Sequence, residues 1–145
     1  MRKFWILFVC LFTVSIGLYA DNDRPIRFEQ LPDKAKTFIR NYFSQEKVAS
    51  VKMDNDFFDK NYEVIFISGS RIEFDKKGIW IDVDCKNVAV PIGIVPEVIM
   101  HHVKTHYPEQ KVVQIEKDNR GYEVKLLKGL SLEFNKKIQL IDIDD

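Results

Sequence analysis

The stretch from Tyr62 to Asp84 occurs twice in this chain, and that repetition limits the folds open to it. It reads YEVIFISGSRIEFDKKGIWIDVD, and Tyr122 to Asp144 reads YEVKLLKGLSLEFNKKIQLIDID, at a constant separation of 60. Tyr-Glu-Val, Gly69 with Gly129, Glu73-Phe74 with Glu133-Phe134, the lysine pairs, and Asp82 and Asp84 with Asp142 and Asp144 all coincide. Such self-similarity reads as one supersecondary unit used twice.

Each copy is preceded by a helical pattern. Leu31-Pro32-Asp33 opens the first, with proline near the first helical position, where its missing N–H costs nothing. Ala35, Phe38, Ile39, Tyr42 and Phe43 then recur at spacings of three and four, which places them on one face. Val95-Pro96-Glu97 is the matching start, and Val98 or Ile99, His102, Val103, His106 and Tyr107 continue the pattern until Pro108. Here the alignment runs at a separation of 64, Ile39 with Val103 and Phe43 with Tyr107, because the first unit has a longer hairpin around Asn55 to Lys60.

Four short strands are expected after each helix. In the first unit they are Val48–Met53, Tyr62–Ser68, Ser70–Phe74 and Ile79–Asp84. In the second they are Val112–Lys117, Tyr122–Lys128, Leu130–Phe134 and Ile138–Asp144. Short turns between them imply antiparallel neighbours. The fold class is therefore α+β: a tandem repeat of helix plus four-stranded antiparallel meander, with the helices packed on one sheet face. The units span residues 31–85 and 95–145, joined by a linker at 86–94. Alternation puts Tyr62, Val64, Phe66, Ile72, Phe74, Ile79, Ile81 and Val83 toward the helix. Glu63, Ile65, Ile67, Arg71, Glu73, Trp80, Asp82 and Asp84 fall on the other, mixed face, as in an antiparallel sheet with one side open.

The N-terminus is of another kind. Arg2 and Lys3 precede an apolar run from Phe4 to Tyr19, which ends at Ala20 before Asp21-Asn22-Asp23-Arg24. Basic start, apolar middle and small-residue exit make residues 1–20 a secretory signal peptide, with Gly17 as a rival cleavage site to Ala20. Residues 21–30 read as a flexible leader. The destination is the periplasm or otherwise secreted, with no stable membrane embedding after cleavage. The 22 basic and 22 acidic residues give no basic stripe for nucleic acid. Removing the signal takes Cys10 with it, so Cys85 has no internal disulfide partner and reads as an inert, partly buried thiol.

No catalytic constellation stands out, so no enzyme activity is expected, and neither a cofactor nor a metal site. His102 and His106 lie at i, i+4, but the glutamate of His-Glu-x-x-His is missing and both fall on the apolar face of the helix. Asp82/Asp84 and Asp142/Asp144 lack the loop and glycine of an EF-hand and read as a solvated sheet face. A protein contact is the stronger candidate. Trp80 is placed on the open face near Ile65, Ile67 and Arg71, with Phe57 and Phe58 in the longer first hairpin, and apolar groups gathered on an open sheet bind proteins. Sequence leaves open whether a second copy, or the other half of the chain, covers them.

With its Leu31-Pro32 helix start and the Tyr62-Glu63-Val64, Glu73-Phe74, Gly78, Trp80, Asp82 strand pattern, the chain resembles the PepSY-like, beta-lactamase-inhibitor-like group of small exported Bacteroides-type proteins. The likeness runs from Leu31 to Asp144, and the second unit departs from it where Ile138 and Leu140 replace the glycine and tryptophan. The resemblance implies a periplasmic protein whose sheet can bind another protein: PepSY domains are thought to restrain proteases, and the beta-lactamase inhibitor grips its enzyme with a concave, aromatic-rich sheet. No inhibitory motif is identifiable here, and fold does not carry function. The expected function is a noncatalytic protein-binding module, inhibitory or regulatory toward an unidentified envelope protein, with a homodimer left open. The alternative is a sensor of a small ligand or divalent cation in the cell envelope.

Overall fold

The computed structural model describes residues 23–55 and 59–145. The signal segment, Phe57 and Phe58 lie outside the described residues. In chain order the elements are β1 (Asp23–Pro25), a 3₁₀ turn (Phe28–Gln30), α1 (Asp33–Tyr42), β2 (Val48–Asn55), β3 (Lys60–Phe66), β4 (Arg71–Phe74) and β5 (Trp80–Asp84). Then follow α2 (Glu97–His106), β6 (Val112–Asp118), β7 (Gly121–Leu126), β8 (Ser131–Asn135) and β9 (Leu140–Asp144). The strands form one nine-stranded sheet in chain order, every neighbouring pair antiparallel. The two meanders are thus halves of a single sheet, zipped together where Val83 of β5 stands opposite Ile115 of β6.

Both helices start the same way. Pro32 and Pro96 occupy the N-cap positions, one residue earlier than expected, and Asp33 and Glu97 put negative charge in the first turn. Ala35 and Ile39 of α1, and Ile99 and Val103 of α2, are buried in one core with Val64, Phe66, Ile72, Val83, Ile115, Val124, Leu126 and Leu132. The core crosses the boundary between the units, and the connection at 86–94 contributes buried Val90 and Ile94 to it. The segment expected to be a flexible leader instead carries an edge strand. Asp23, Arg24 and Pro25 pair with Asp54, Met53 and Lys52 of β2, a position where proline is tolerated because its missing N–H faces outward.

Strict alternation fails at one place in each unit. Phe74 stands opposite Trp80 but Glu73 stands opposite Asp82, so Ile81 is an extra residue. The same irregularity recurs in the second unit, where Phe134 faces Leu140, Glu133 faces Asp142, and Ile141 is the extra residue. A β-bulge of this kind reverses the facing of the residues before it. Trp80 and Leu140 therefore share the helix side with Phe74 and Phe134, and Ile81 leaves it, contrary to the expectation from simple alternation.

The turn between β4 and β5 anchors α1. Asp75 Oδ1 accepts the N–H groups of Lys77 and Ile79, and Gly78 closes the turn at φ +84°. A Cβ on Gly78 would stand 2.8 Å from Pro32 Cβ and 2.9 Å from the Ala35 nitrogen, so any side chain pushes on the first turn of the helix. At Gly69, with φ +95°, a Cβ would meet open space. Gly78→Ala is expected to cost about 2–4 kcal/mol in urea denaturation, against about 1–2 kcal/mol of backbone strain alone for Gly69→Ala. Equal losses would show that Gly78 is not wedged under the helix.

Candidate functional site

The register places one carboxylate per strand in a line across the open face. Glu63 is opposite Glu73, Glu73 opposite Asp82, Asp82 opposite Glu116, Glu116 opposite Glu123, Glu123 opposite Glu133, and Glu133 opposite Asp142. Residues directly opposite have Cβ atoms roughly 4.5–5.5 Å apart, and like charges so placed destabilise a sheet. Lys52 opposite Glu63 ends the line on β2. Sequence alone shows the acids but not the line, because the join Asp82–Glu116 depends on how the two units dock.

Arg71 relieves the line in the first unit. From the neighbouring row its guanidinium reaches Glu63 at 3.3 Å, Glu73 at 3.1 Å and Asp82 at 3.0 Å. Gln114 donates to Asp82 at 3.1 Å and to Glu116 at 3.1 Å. Burial nevertheless pushes the Glu73, Asp82 and Glu116 carboxyls above their ordinary values; Arg71 pulls all three back and Gln114 pulls Asp82 back, while neighbouring carboxylates push each of them further up. Asp84 goes the other way: burial would raise it, but the backbone N–H and ammonium of Lys86 hold it below its ordinary value.

The second unit repeats the acids without the arginine. Glu123, Glu133 and Asp142 stand at the positions of Glu63, Glu73 and Asp82, but Ser131 stands at the position of Arg71. Among the described residues no lysine or arginine is within ion-pair distance of Glu116, Glu123, Glu133 or Asp142. Arg120 pairs with Asp118, 3.1 Å away, and feels Glu133 and Glu123 at longer range without bonding either. The surface here is concave: a hollow of about 260 Å³ is lined by Glu73, Asp82, Glu116, Glu123 and Glu133, with Lys117 and Arg120 at the same wall, and one of about 180 Å³ by Gln114, Glu116, Glu123, Lys125 and Ser131. No three His, Cys, Asp or Glu side chains among the described residues are close enough to form a ready-made metal cage.

Of the described residues expected to form a protein contact, Trp80 stands apart from the others. Ile65 and Arg71 are opposite one another on the open face, and Ile67 is exposed just past the end of β3. Trp80 is on the far side of the sheet, half-buried with its ring 6.3 Å from Phe38 of α1 and under the Lys117 ammonium at 4.0 Å. The bulge at Ile81 is the reason. Phe57 and Phe58 lie outside the described residues.

The histidines have a packing explanation that the separation of 64 already contained. His102 and His106 occupy the positions of Phe38 and Tyr42. Phe38 meets Phe74 edge-on at 5.8 Å and 83°, and His102 meets Phe134 edge-on at 5.7 Å and 86°. Phe38 and Tyr42 are tilted by 48°, as are His102 and His106. Burial, then the charge of His106 and His101, lowers the His102 pKa, as suits a ring used for packing. Cys85 is buried, and burial pushes its thiol up to about 11, which keeps it protonated and unreactive at neutral pH.

Comparison with known proteins agrees with this architecture. The family described as "Putative beta-lactamase-inhibitor-like, PepSY-like" matches residues 60–142, from β3 into β9. The chain belongs to that family. Among solved structures, a periplasmic protein of the DUF2874 family from Bacteroides vulgatus is 50% identical, with 87% of this chain and 99% of that one covered and a TM-score of 0.84. A Bacteroides thetaiotaomicron protein described as a "putative calcium-regulated periplasmic protein" is also 50% identical, covering 86% of this chain and 98% of that one, with a TM-score of 0.84. A further B. vulgatus periplasmic protein is 36% identical over 85% of this chain and 99% of that one, with a TM-score of 0.81. No curated protein sequence matches. The protein is thus a small periplasmic or secreted PepSY-like domain, and no helix among the described residues is long and apolar enough to cross a membrane.

The PepSY-like sheet makes Arg71 an electrostatic keystone, and its removal has a definite pH signature. Glu73, Asp82 and Glu116 have folded-state values above their unfolded ones. Their contribution to stability is fully present below the unfolded values and is lost as pH rises through the folded ones. Arg71→Met leaves them facing each other and is expected to cost about 1.5–3 kcal/mol near neutrality. The deficit shrinks as pH falls into the carboxylate range. Urea denaturation at about pH 7 and about pH 4.5 measures it; an equal deficit at both would mean that Arg71 acts by packing alone.

Proposed function

We propose that this protein is a noncatalytic divalent-cation sensor of the cell envelope, with calcium as the cation and the carboxylates of the second unit as its receiver. The observation that carries this reading is the substitution of Ser131 for Arg71 within a duplicated acid set. In the first unit Glu63, Glu73 and Asp82 converge on one built-in cation. In the second, Glu123, Glu133 and Asp142 have the same register and, among the described residues, no ion pair: Lys125, opposite Ser131, lines the hollow without bonding any of them. Oxygen ligands only, in an adjustable arrangement, suit calcium better than zinc or copper. The description of the B. thetaiotaomicron relative as calcium-regulated supports the same reading. The acids are not drawn together in advance, so the cation closes the site as it binds and keeps much of its water. That predicts the modest affinity of extracellular calcium modules, with Kd of about 0.1–1 mM.

A protein-binding role for the open face loses Trp80 as its anchor. Any protein docking on this acidic surface has to bring basic side chains.

The test is a thermal denaturation series with calcium at constant ionic strength, with magnesium as comparison. Wild type is expected to gain about 1.4 kcal/mol at a tenfold excess of calcium over Kd, and less with magnesium. Ser131→Arg supplies the missing charge from within, so it should raise stability without calcium and abolish the calcium response. A wild-type transition that ignores calcium, or a Ser131→Arg protein that responds as wild type does, would contradict the proposal.

A further inference from the structure

β5 and β9 are the same strand of the repeat, yet only one of them has a neighbour on each side. β5 lies between β4 and β6, whereas among the described residues nothing pairs with the outer edge of β9. At the first junction the Cys85 N–H donates to the Val113 carbonyl at 2.8 Å. Antiparallel alternation makes Val83 and Ile115, opposite each other, the adjoining bonded pair. The counterpart of Val83 is Ile143. Its N–H instead donates to Oδ1 of the preceding Asp142 at 2.9 Å, a side chain standing in for an absent strand.

The side chains of the edge are uncovered in the same way. Val83 is 0% exposed, but Ile143 is 49% exposed and Leu140 36%, although both lie beside the buried Leu132 and Phe134 on the helix side. On the open side the edge presents Asp142 and Asp144, next to Glu133 and Ser131. An edge with free backbone groups, bare apolar residues on one side and bare acids on the other is a template for strand addition.

Charge decides what fits it. A second copy pairing β9 with β9 about Asp142, Ile143 or Asp144 sets aspartate opposite aspartate in each of these symmetric registers, which disfavours the pairing. We propose that β9 is the docking edge for an extended segment of another protein in which basic and apolar side chains alternate. Its basic residues meet Asp142 and Asp144 and supply the charge that Ser131 does not, and its apolar residues cover Ile143 and Leu140. Its backbone takes over the Ile143 N–H, releasing the Asp142 side chain.

The probe is a capped synthetic peptide of alternating lysine and valine, tested in EDTA so that the cation proposal does not enter. An alternating glutamate–valine peptide and a backbone N-methylated lysine–valine peptide are the controls. Amide NMR shifts are expected to centre on β9, with the Ile143 N–H gaining protection from hydrogen exchange and no response to the acidic peptide. Both Ile143→Pro, which removes the outward N–H from an edge where proline is tolerated, and N-methylation should weaken binding about tenfold. Were Ile143→Pro to unfold, the methylated peptide makes the same test on the wild-type chain. Absence of binding, equal binding of the methylated peptide, shifts centred on Glu116 and Glu123 instead of β9, or self-association through β9 would each overturn the proposal.

Discussion

An antiparallel ladder allows each side chain one of two faces, and this chain uses one face for its core and the other for its acids. Packing fixes the first face: Val64, Ile72, Val83, Ile115, Val124 and Leu132 are all fully buried. Once those residues are inside, Glu63 through Asp142 are forced into line outside. The electrostatic cost is met locally in the first unit, by the three ion pairs of Arg71. Among the described residues no comparable ion pairs form in the second. The duplication has therefore kept the core and divided the open face into a half relieved in part by Arg71 and a half where serine takes that arginine's place.

Much of this architecture can be read from the residues. The separations of 60 and 64 give two units, the helical spacing gives both helices, and the turns give the antiparallel meander. The fate of Trp80 cannot be read that way. Ile79-Trp80-Ile81-Asp82-Val83-Asp84 alternates without interruption as sequence, and the bulge appears only when β5 is matched against β4, where Phe74 takes Trp80 and Glu73 takes Asp82. One unpaired residue moved the supposed contact anchor to the other side of the sheet, against Phe38. The strand at Asp23–Pro25 was equally hidden, since three polar or proline residues have no periodicity and gain their conformation from β2.

The candidate site was half legible. Asp82/Asp84 and Asp142/Asp144 stood out as paired acids, but their neighbours Glu116, Glu123 and Glu133 join them only through strand register. The signal that could have found the site was the exchange of Arg71 for Ser131 within an otherwise matching acid set. Likewise, the alignment of Phe38 with His102 explains the histidines as ring packing. Differences between copies of a repeat carry functional information when the physics of one copy shows what the other lacks.

The open face of the sheet carries a row of carboxylates that repel one another in the folded state and are unequally relieved. Carbon-detected NMR titration of individual side-chain carboxyls tests this most directly. Glu73, Asp82 and Glu116 should titrate above ordinary glutamate and aspartate values, while Asp84, held by Lys86, titrates below. Asp82 and Glu116 titrating at or below ordinary values would contradict it, because burial first and the neighbouring carboxylates second would then leave no charge penalty for a cation or a basic partner to relieve.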